Sequence, residues 1–164
     1  MNLYLYAFLA LELVLISYVD LRTKKISNLW PLFHIILFVA LKFAFPEDYP
    51  LALVHFIYPL SFIILGFVLF VFHIMGAGDS KYLASLFLVT PTPLHMLLLE
   101  KLLTVTIFVG TILIILKFVK SAAKIRAYLL TLHLAGLKSE ISSRFSYAPV
   151  ILVTWILFGV SLWH

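Results

Sequence analysis

The amino-acid sequence predicts an all-α fold, namely a polytopic bundle of about six transmembrane helices. Of the 164 residues, 64% are hydrophobic and 12% are charged, whereas soluble domains contain roughly 45–50% apolar and about 25% charged residues. Apolar runs recur along the chain, and they are long enough to cross a hydrocarbon core of about 30 Å. A soluble domain could not bury this much apolar surface, so we expect lipid to surround the helices.

Six apolar runs are predicted to form the helices. The first run is expected to remain in the protein, because it has no basic N-terminal region and ends in Tyr18-Val19-Asp20 instead of a small-residue cleavage site. Pro91 and Pro93 interrupt the fourth run, which is either one span or a short helix followed by an irregular turn into the fifth. The predicted spans are Leu3–Val19, Leu29–Phe45, Leu51–Met75, Tyr82–Leu99, Leu102–Phe118 and Tyr147–Trp163.

The distribution of basic residues predicts the orientation of the chain in the membrane. Short cytoplasmic loops collect Lys and Arg, and an N-terminus on the outside places ten of the 12 basic residues on the cytoplasmic side. Lys42 and Lys101 stay on the outer side, near span ends where their ammonium groups can reach water. The basic residues behind the net charge of +5 are therefore explained by the orientation of the chain in the membrane. We expect no nucleic-acid binding.

The longest polar stretch, residues 119–146, falls on the cytoplasmic side in this topology. Apolar residues recur in it at helical spacing, as at Ile125, Leu129 and Leu132, while basic residues occupy other positions. This pattern is typical of an amphipathic helix on an anionic leaflet, and substrate docking is the alternative interpretation. We predict a single transmembrane domain, residues 1–164, that includes this segment.

Two acidic residues, Asp20 and Asp79, lie at the ends of apolar runs and on the same predicted side of the membrane. Ionisable side chains at membrane depth are costly and usually face the protein interior or a wet cavity. Taken alone, Asp20 also fits a point where the first helix meets water. Asp79 follows Gly76-Ala77-Gly78, where two glycines leave backbone uncovered for the close approach of another chain. Helix packing through small residues is the structural alternative for these glycines.

These residues resemble the motifs of a known family. Gly76-Ala77-Gly78-Asp79 is similar to the Gly-x-Gly-Asp signature of intramembrane aspartyl proteases. The segment from Asp20 to Asn28 resembles the first-aspartate segment of type IV prepilin peptidases, although Ser27 stands where the family usually has proline. The similarity extends to Lys81 and to Tyr147-Ala148-Pro149 at the start of the last span. The N-terminal methylating region of larger members has no counterpart here, so we do not expect the product to be N-methylated.

The resemblance implies an intramembrane aspartyl endopeptidase that cleaves the short basic leader from prepilins or pilin-like precursors at the cytoplasmic face of the inner membrane. Asp20 and Asp79 would share a proton and activate a water molecule, with no metal or other cofactor. The sequence leaves open which aspartate is the base, which precursor is cut and which oligomeric state forms. Candidates for substrate contact or support of the pair are Gly76, Gly78, Lys81, Asn28 and Arg22. For the last three, positive-inside charge or an ordinary polar loop is the better explanation.

Two other classes of protein are consistent with parts of the sequence. A proton-coupled transporter or channel would use Asp20 and Asp79 as relay groups, although such proteins commonly have related halves or acids near mid-membrane. A non-catalytic assembly subunit would use the glycines for helix packing. His34, His55 and His73 lie in or near spans without a metal-ligand motif, so they are expected to pack or to form hydrogen bonds.

Overall fold

The computed structural model describes residues 1–71, 75–131 and 146–163. Within these ranges the chain contains six α-helices and no strands, which confirms the predicted all-α class. A short 3-10 turn, Thr92–Leu94, precedes the fifth helix. The helices are α1 Leu3–Thr23, α2 Leu29–Ala44, α3 Leu53–Val71, α4 Ala77–Val89, α5 His95–Thr131 and α6 Ala148–Trp163.

The surface of the described helices is suited to lipid. Many large apolar side chains are exposed, including Ile64, Phe67 and Ile114 at 67–70%. Three helical stretches are long and apolar enough to cross a membrane, while α2 and α6 are apolar but have 16 residues each. The protein is therefore a membrane protein. The three long stretches are Leu3–Thr23, Leu53–Val71 and Thr92–Leu116.

Local capping ends α1 just beyond its last acidic residue. Lys24 adopts a left-handed conformation, with a φ of 54°, and its backbone N–H donates to the carbonyl of Asp20 at 2.8 Å. A residue in this conformation commonly terminates a helix because it turns the chain away from the helix axis. Asp20 therefore lies in the final turn of α1, where its side chain is available to groups that approach the end of the bundle.

The fourth helix is short, as the second of the two sequence interpretations predicted. α4 has 13 residues and ends at Val89, and the chain then passes through Pro91 and the 3-10 turn into α5. Proline provides no backbone N–H and disfavours helical conformation in the residue before it. The predicted continuous span Tyr82–Leu99 is therefore wrong.

Side chains cover the carbonyl groups that the end of α4 leaves unpaired. His55 Nε2 lies 3.0 Å from the Leu88 carbonyl oxygen, and the Tyr49 hydroxyl donates to that of Val89 at 3.0 Å. His95 Nε2 lies 2.9 Å from the carbonyl oxygen of Thr90. Lipid supplies no hydrogen-bond donors, so these contacts replace the water that would cap an exposed helix.

The hydrogen-bonding role predicted for the histidines is confirmed at two positions. His55 caps α4, and His34 contacts the side chains of Glu12 and Ser85 inside the bundle. His73 lies outside the described residues. Among the residues that the structure describes, no cluster of three or more His, Asp or Glu side chains could hold a metal ion.

Replacing His55 by leucine is expected to lower the free energy of unfolding by about 2–3 kcal/mol. The change leaves the Leu88 carbonyl without its imidazole donor and removes the partner that lies 2.7 Å from the Thr92 hydroxyl. Thermal unfolding in detergent micelles measures the loss. Ser61→Ala on the same helix is the control, because Ser61 is exposed and hydrogen-bonds only to the Ile57 carbonyl of its own helix. Equal stability of the two variants would contradict the capping role.

The helix that contains the predicted fifth span continues beyond Phe118. α5 contains 37 residues, which corresponds to about 55 Å at 1.5 Å per residue, and it passes Phe118 without a break. Residues 119–131 therefore continue α5 and do not begin a separate surface helix. The rest of the predicted amphipathic segment, residues 132–145, lies outside the described part of the chain.

The helices pack mainly as two groups of three. α6 lies against α1 and α5, and we call these helices the Asp20 group. α4 lies against α2 and α3, and we call these helices the Asp79 group. At one end of the bundle, Tyr6 of α1 stacks on Trp155 of α6. The opposite end brings together the last turn of α1, the first turn of α4 and the start of α6.

Candidate active site

Asp20 is held against the start of α6. Its side chain is 2% exposed, and its Oδ2 atom accepts a hydrogen bond from the backbone N–H of Ala148 at 3.2 Å. The Ser146 hydroxyl donates to the Asp20 carbonyl at 3.2 Å, and Lys24 Nζ donates to the Ser146 hydroxyl at 2.9 Å. These contacts tie the end of α1 to the segment that starts α6.

Asp79 lies in the first turn of α4 and is also buried, at 8% exposure. Its Oδ2 atom accepts a hydrogen bond from the backbone N–H of Gly76 at 3.1 Å, so that the side chain caps its own helix. The N-terminus of a helix carries partial positive charge, which stabilises an adjacent carboxylate. Gly76 itself is exposed, so the chain that leads into α4 is open to solvent at this point.

Gly78 allows the connection between α1 and α2 to approach α4 closely. A Cβ atom at this position would lie 2.8 Å from the backbone carbonyl oxygen of Ile26. That distance is too short for a carbon and an oxygen atom, and a backbone oxygen cannot move as a side chain can. Gly78 is thus required by close packing against this connection, while its part in the motif stays a prediction.

The two carboxyl groups interact electrostatically. Burial, and then the negative charge of Asp20, raise the pKa of the Asp79 carboxyl to about 6, while the hydrogen bond from Gly76 opposes this shift. Asp20 and Asp79 belong to different helix groups, and the structure brings them to the same end of the bundle. Two buried carboxyls that interact in this way tend to share one proton.

Tyr147 is placed between the two helix groups. Its hydroxyl oxygen lies 2.6 Å from the Thr106 hydroxyl of α5. Burial and, to a smaller degree, the negative charge of Asp79 raise the pKa of Tyr147, while the next residue, Ala148, donates to Asp20. The segment that starts α6 therefore hydrogen-bonds to Asp20 and interacts electrostatically with Asp79.

The other predicted support residues are exposed, and their described contacts are with residues outside the carboxyl pair. Lys81 Nζ donates to the Asn28 side-chain oxygen at 3.4 Å, and both side chains are exposed. This contact joins α4 to the start of α2 at the edge of the site. Arg22 is exposed, and its guanidinium carbon lies 4.5 Å above the ring of Tyr18. In the structure, Asp20, Asp79, Gly76 and Gly78 thus lie at the same end of the bundle. The described contact of Arg22 is with Tyr18 of its own helix.

The sequence analysis missed a second buried polar cluster, which is centred on Glu12. Glu12 and His34 are 3% and 0% exposed, and their side chains lie 3.0 Å apart. Tyr82 and Ser85 of α4 complete the cluster. Glu12 could have indicated this cluster from the sequence, since it is an acidic residue in the middle of the first apolar run. Such a residue requires a polar partner within the membrane.

The fold and the buried carboxyls define a class of protein: a helical membrane protein in which two buried aspartates interact at one end of the bundle. The family model of the type IV leader peptidases matches residues 7–163, and the chain belongs to this family. It is therefore a protease of the type IV leader peptidase kind. No curated protein and no solved structure matches the chain.

Proposed function

We propose that the protein is an endopeptidase that removes the short basic leader from prepilins or pilin-like precursors, with Asp20 and Asp79 as its catalytic residues. The observation that supports this most strongly is the convergence of two buried carboxyls from separate helix groups, one of which has its pKa raised to about 6 by burial and by the other. Membership of the leader peptidase family supports the same reaction class.

Asp79 acts as the acid and Asp20 as the base in the first step of the proposed reaction. Protonated Asp79 donates a hydrogen bond to the scissile carbonyl oxygen. Ionised Asp20, held by the N–H of Ala148, accepts a proton from water as the water oxygen bonds to the carbonyl carbon. Asp20 then returns this proton to the leaving amine as the C–N bond breaks, and the products are a carboxyl and an amine without a covalent intermediate.

The substrate must present an unwound peptide to the carboxyl pair. Backbone groups in a helix are already hydrogen-bonded and are shielded by side chains, whereas an extended segment exposes its scissile carbonyl. Gly76 is exposed, and a Cβ atom at this position would lie 3.0 Å from Asp79 Oδ2, so the glycine keeps the space beside this carboxyl free. We propose that the leader reaches the pair here, beside the exposed Gly76.

The distribution of charge supports the proposed membrane topology. Arg22, Lys24, Lys25 and Lys81 lie at the end of the bundle that holds the aspartates. Cytoplasmic loops collect such residues, so we propose that this end faces the cytoplasm and that the N-terminus lies outside. In this topology residues 1–164 form one multi-pass domain of the inner membrane, and its partners are lipid and the precursor.

Cleavage of a synthetic precursor by purified protein tests the proposal. The substrate contains a basic leader followed by an apolar helix, and mass spectrometry locates the cut. The same protein in sealed vesicles, with a pH-sensitive dye inside, tests for proton flux. Cleavage at the junction of leader and helix supports a peptidase. Proton flux without cleavage would support a transporter that uses the same aspartates as relay groups.

Peptidase activity is expected to decrease as the pH rises through about 6. Below this pH Asp79 retains the proton that the acid needs, and above it Asp79 is ionised. The value of kcat/KM should therefore fall by up to about tenfold for each pH unit well above the pKa of Asp79. Initial rates at low substrate concentration, with thermal unfolding measured at each pH, provide the test. A constant kcat/KM from about pH 5 to about pH 8 would contradict a proton-sharing pair.

A further inference from the structure

A polar cluster in the middle of the bundle has no part in the reaction described above. It consists of Glu12, His34, Tyr82 and Ser85, and we call it the Glu12 cluster. All four residues are buried, with no more than 5% of each exposed. The Tyr82 hydroxyl donates to Glu12 Oε1 at 3.3 Å, and His34 Nδ1 lies 2.8 Å from the Ser85 hydroxyl. The remaining imidazole nitrogen lies 3.0 Å from the Glu12 carboxyl.

The hydrogen bonds determine how protons are distributed in the Glu12 cluster. The Ser85 hydroxyl donates its hydrogen to the Tyr82 carbonyl at 2.8 Å, so its oxygen must accept from His34 Nδ1. One proton then lies between the other imidazole nitrogen and Glu12. The pair is either an imidazolium with a carboxylate or an imidazole with a carboxylic acid. Both forms are neutral overall and fully hydrogen-bonded, which makes burial in a membrane protein tolerable.

The Glu12 cluster crosses the boundary between the two helix groups. Glu12 lies on α1 of the Asp20 group, about two turns before Asp20. His34 lies on α2 of the Asp79 group, and Tyr82 lies on α4, about one turn after Asp79. α4 packs mainly on α2 and α3, so the bond from Tyr82 to Glu12 ties it directly to α1. This bond links the two helices that carry the aspartates.

We propose that the Glu12 cluster is a positioning site that fixes the register of α4 against α1 and thereby the spacing of Asp20 and Asp79. The inference rests on the proposed peptidase function. A displacement of about 1 Å in a catalytic group can lower a rate by about two orders of magnitude. Glu12 and Tyr82 are therefore positioning residues, and they act on the reaction through the helices that carry the carboxyls.

Tyr82→Phe tests the link between the helices, because it removes one hydroxyl and keeps the ring. We expect kcat to fall about tenfold while KM stays constant, because a displacement of less than about 1 Å in a catalytic group already slows a reaction. Tyr58→Phe is the matched control, since the Tyr58 hydroxyl contacts Met96 Sδ at 3.7 Å near the opposite end of α4. Rates are expressed per folded molecule, so a purely structural defect would not change kcat.

Glu12→Gln separates positioning from proton transfer. A glutamine oxygen can accept from Tyr82, and its amide can donate to neutral His34, whose Nδ1–H still donates to Ser85. The hydrogen bonds are retained without a titratable carboxyl, so kcat should stay within about threefold of the unmodified protein. A loss equal to that of Tyr82→Phe would overturn the positioning role, because it would show that the carboxyl itself is required.

The double variant Glu12→Leu/His34→Leu gives a second test if Tyr82→Phe folds poorly. Replacing a buried ion pair by apolar residues is often neutral for stability, yet it removes both polar partners across the helix boundary. We expect folded protein with kcat lowered at least as much as in Tyr82→Phe. Normal kcat in this variant or in Tyr82→Phe, with cleavage by the unmodified protein intact, would overturn the positioning site alone. Absence of cleavage by the unmodified protein would overturn the proposed peptidase as well.

Discussion

Asp20→Asn and Asp79→Asn are each expected to lower the cleavage rate by about 10²–10⁴-fold, the contribution typical of a positioned acid or base. Asparagine has nearly the same shape as aspartate, and its side-chain oxygen can still accept the hydrogen bond from Ala148 or from Gly76. An amide in place of the Asp20 carboxylate has no charge with which to deprotonate water. An amide in place of the Asp79 carboxyl has no acidic proton to donate. Because the structural contacts are kept, a lower cleavage rate would reflect the missing base or the missing acid.

The measurement is the initial rate of precursor cleavage by purified variants, accompanied by thermal unfolding of each. Asp48→Asn is the matched control, because Asp48 is exposed in the connection between α2 and α3, at the end opposite the candidate site. This control should retain full activity. Cleavage at the normal rate by either of the other two variants would remove that aspartate from the proposed mechanism.

Gly78→Ala is expected to cause the second-largest loss of activity, about two orders of magnitude in kcat. The added methyl group would lie 2.8 Å from the Ile26 carbonyl oxygen, so the first turn of α4 or the connection before α2 must move. Asp79 is the next residue, and its carboxyl would move with that turn. The expected effect is thus a misplaced acid in a protein that still forms its helices.

Gly110→Ala provides the matched control for this prediction. A Cβ atom at position 110 would have no neighbouring atom within 4 Å, and alanine favours a helix over glycine by about 1 kcal/mol. This control should be at least as stable as the unmodified protein and equally active. Full activity in Gly78→Ala would show that the close approach of Ile26 is not needed to place the acid.

The number of helices could be predicted from the sequence because apolar runs long enough for a membrane are a local property. Their boundaries were less certain, since the end of a helix depends on contacts made by distant residues. Val89 ends α4, and the carbonyls at that end are capped by His55 and Tyr49, which come from the preceding helix and its connection. Nothing in the sequence around Phe118 indicated that α5 continues to Thr131.

The candidate carboxyl pair could be predicted because its motifs are short and specific, and the structure places Asp20 and Asp79 at one end of the bundle. The Glu12 cluster could not be predicted in the same way. Hydropathy identifies Glu12 as unusual in an apolar run but does not identify the helix face that meets it. The pairing with His34 depends on how α1 and α2 rotate about their own axes, which is a property of the folded bundle.

The capping of α4 by three ring side chains has a consequence for permeability. At Val89 and Thr90 the backbone carbonyls are paired with Tyr49 and His95, so this end of the helix needs no water. At the other end, exposed Gly76 leads into the helix that carries Asp79. A hydrolase within a bilayer must admit water without leaking ions. A helix that begins at an exposed glycine and ends under side-chain caps is suited to both demands.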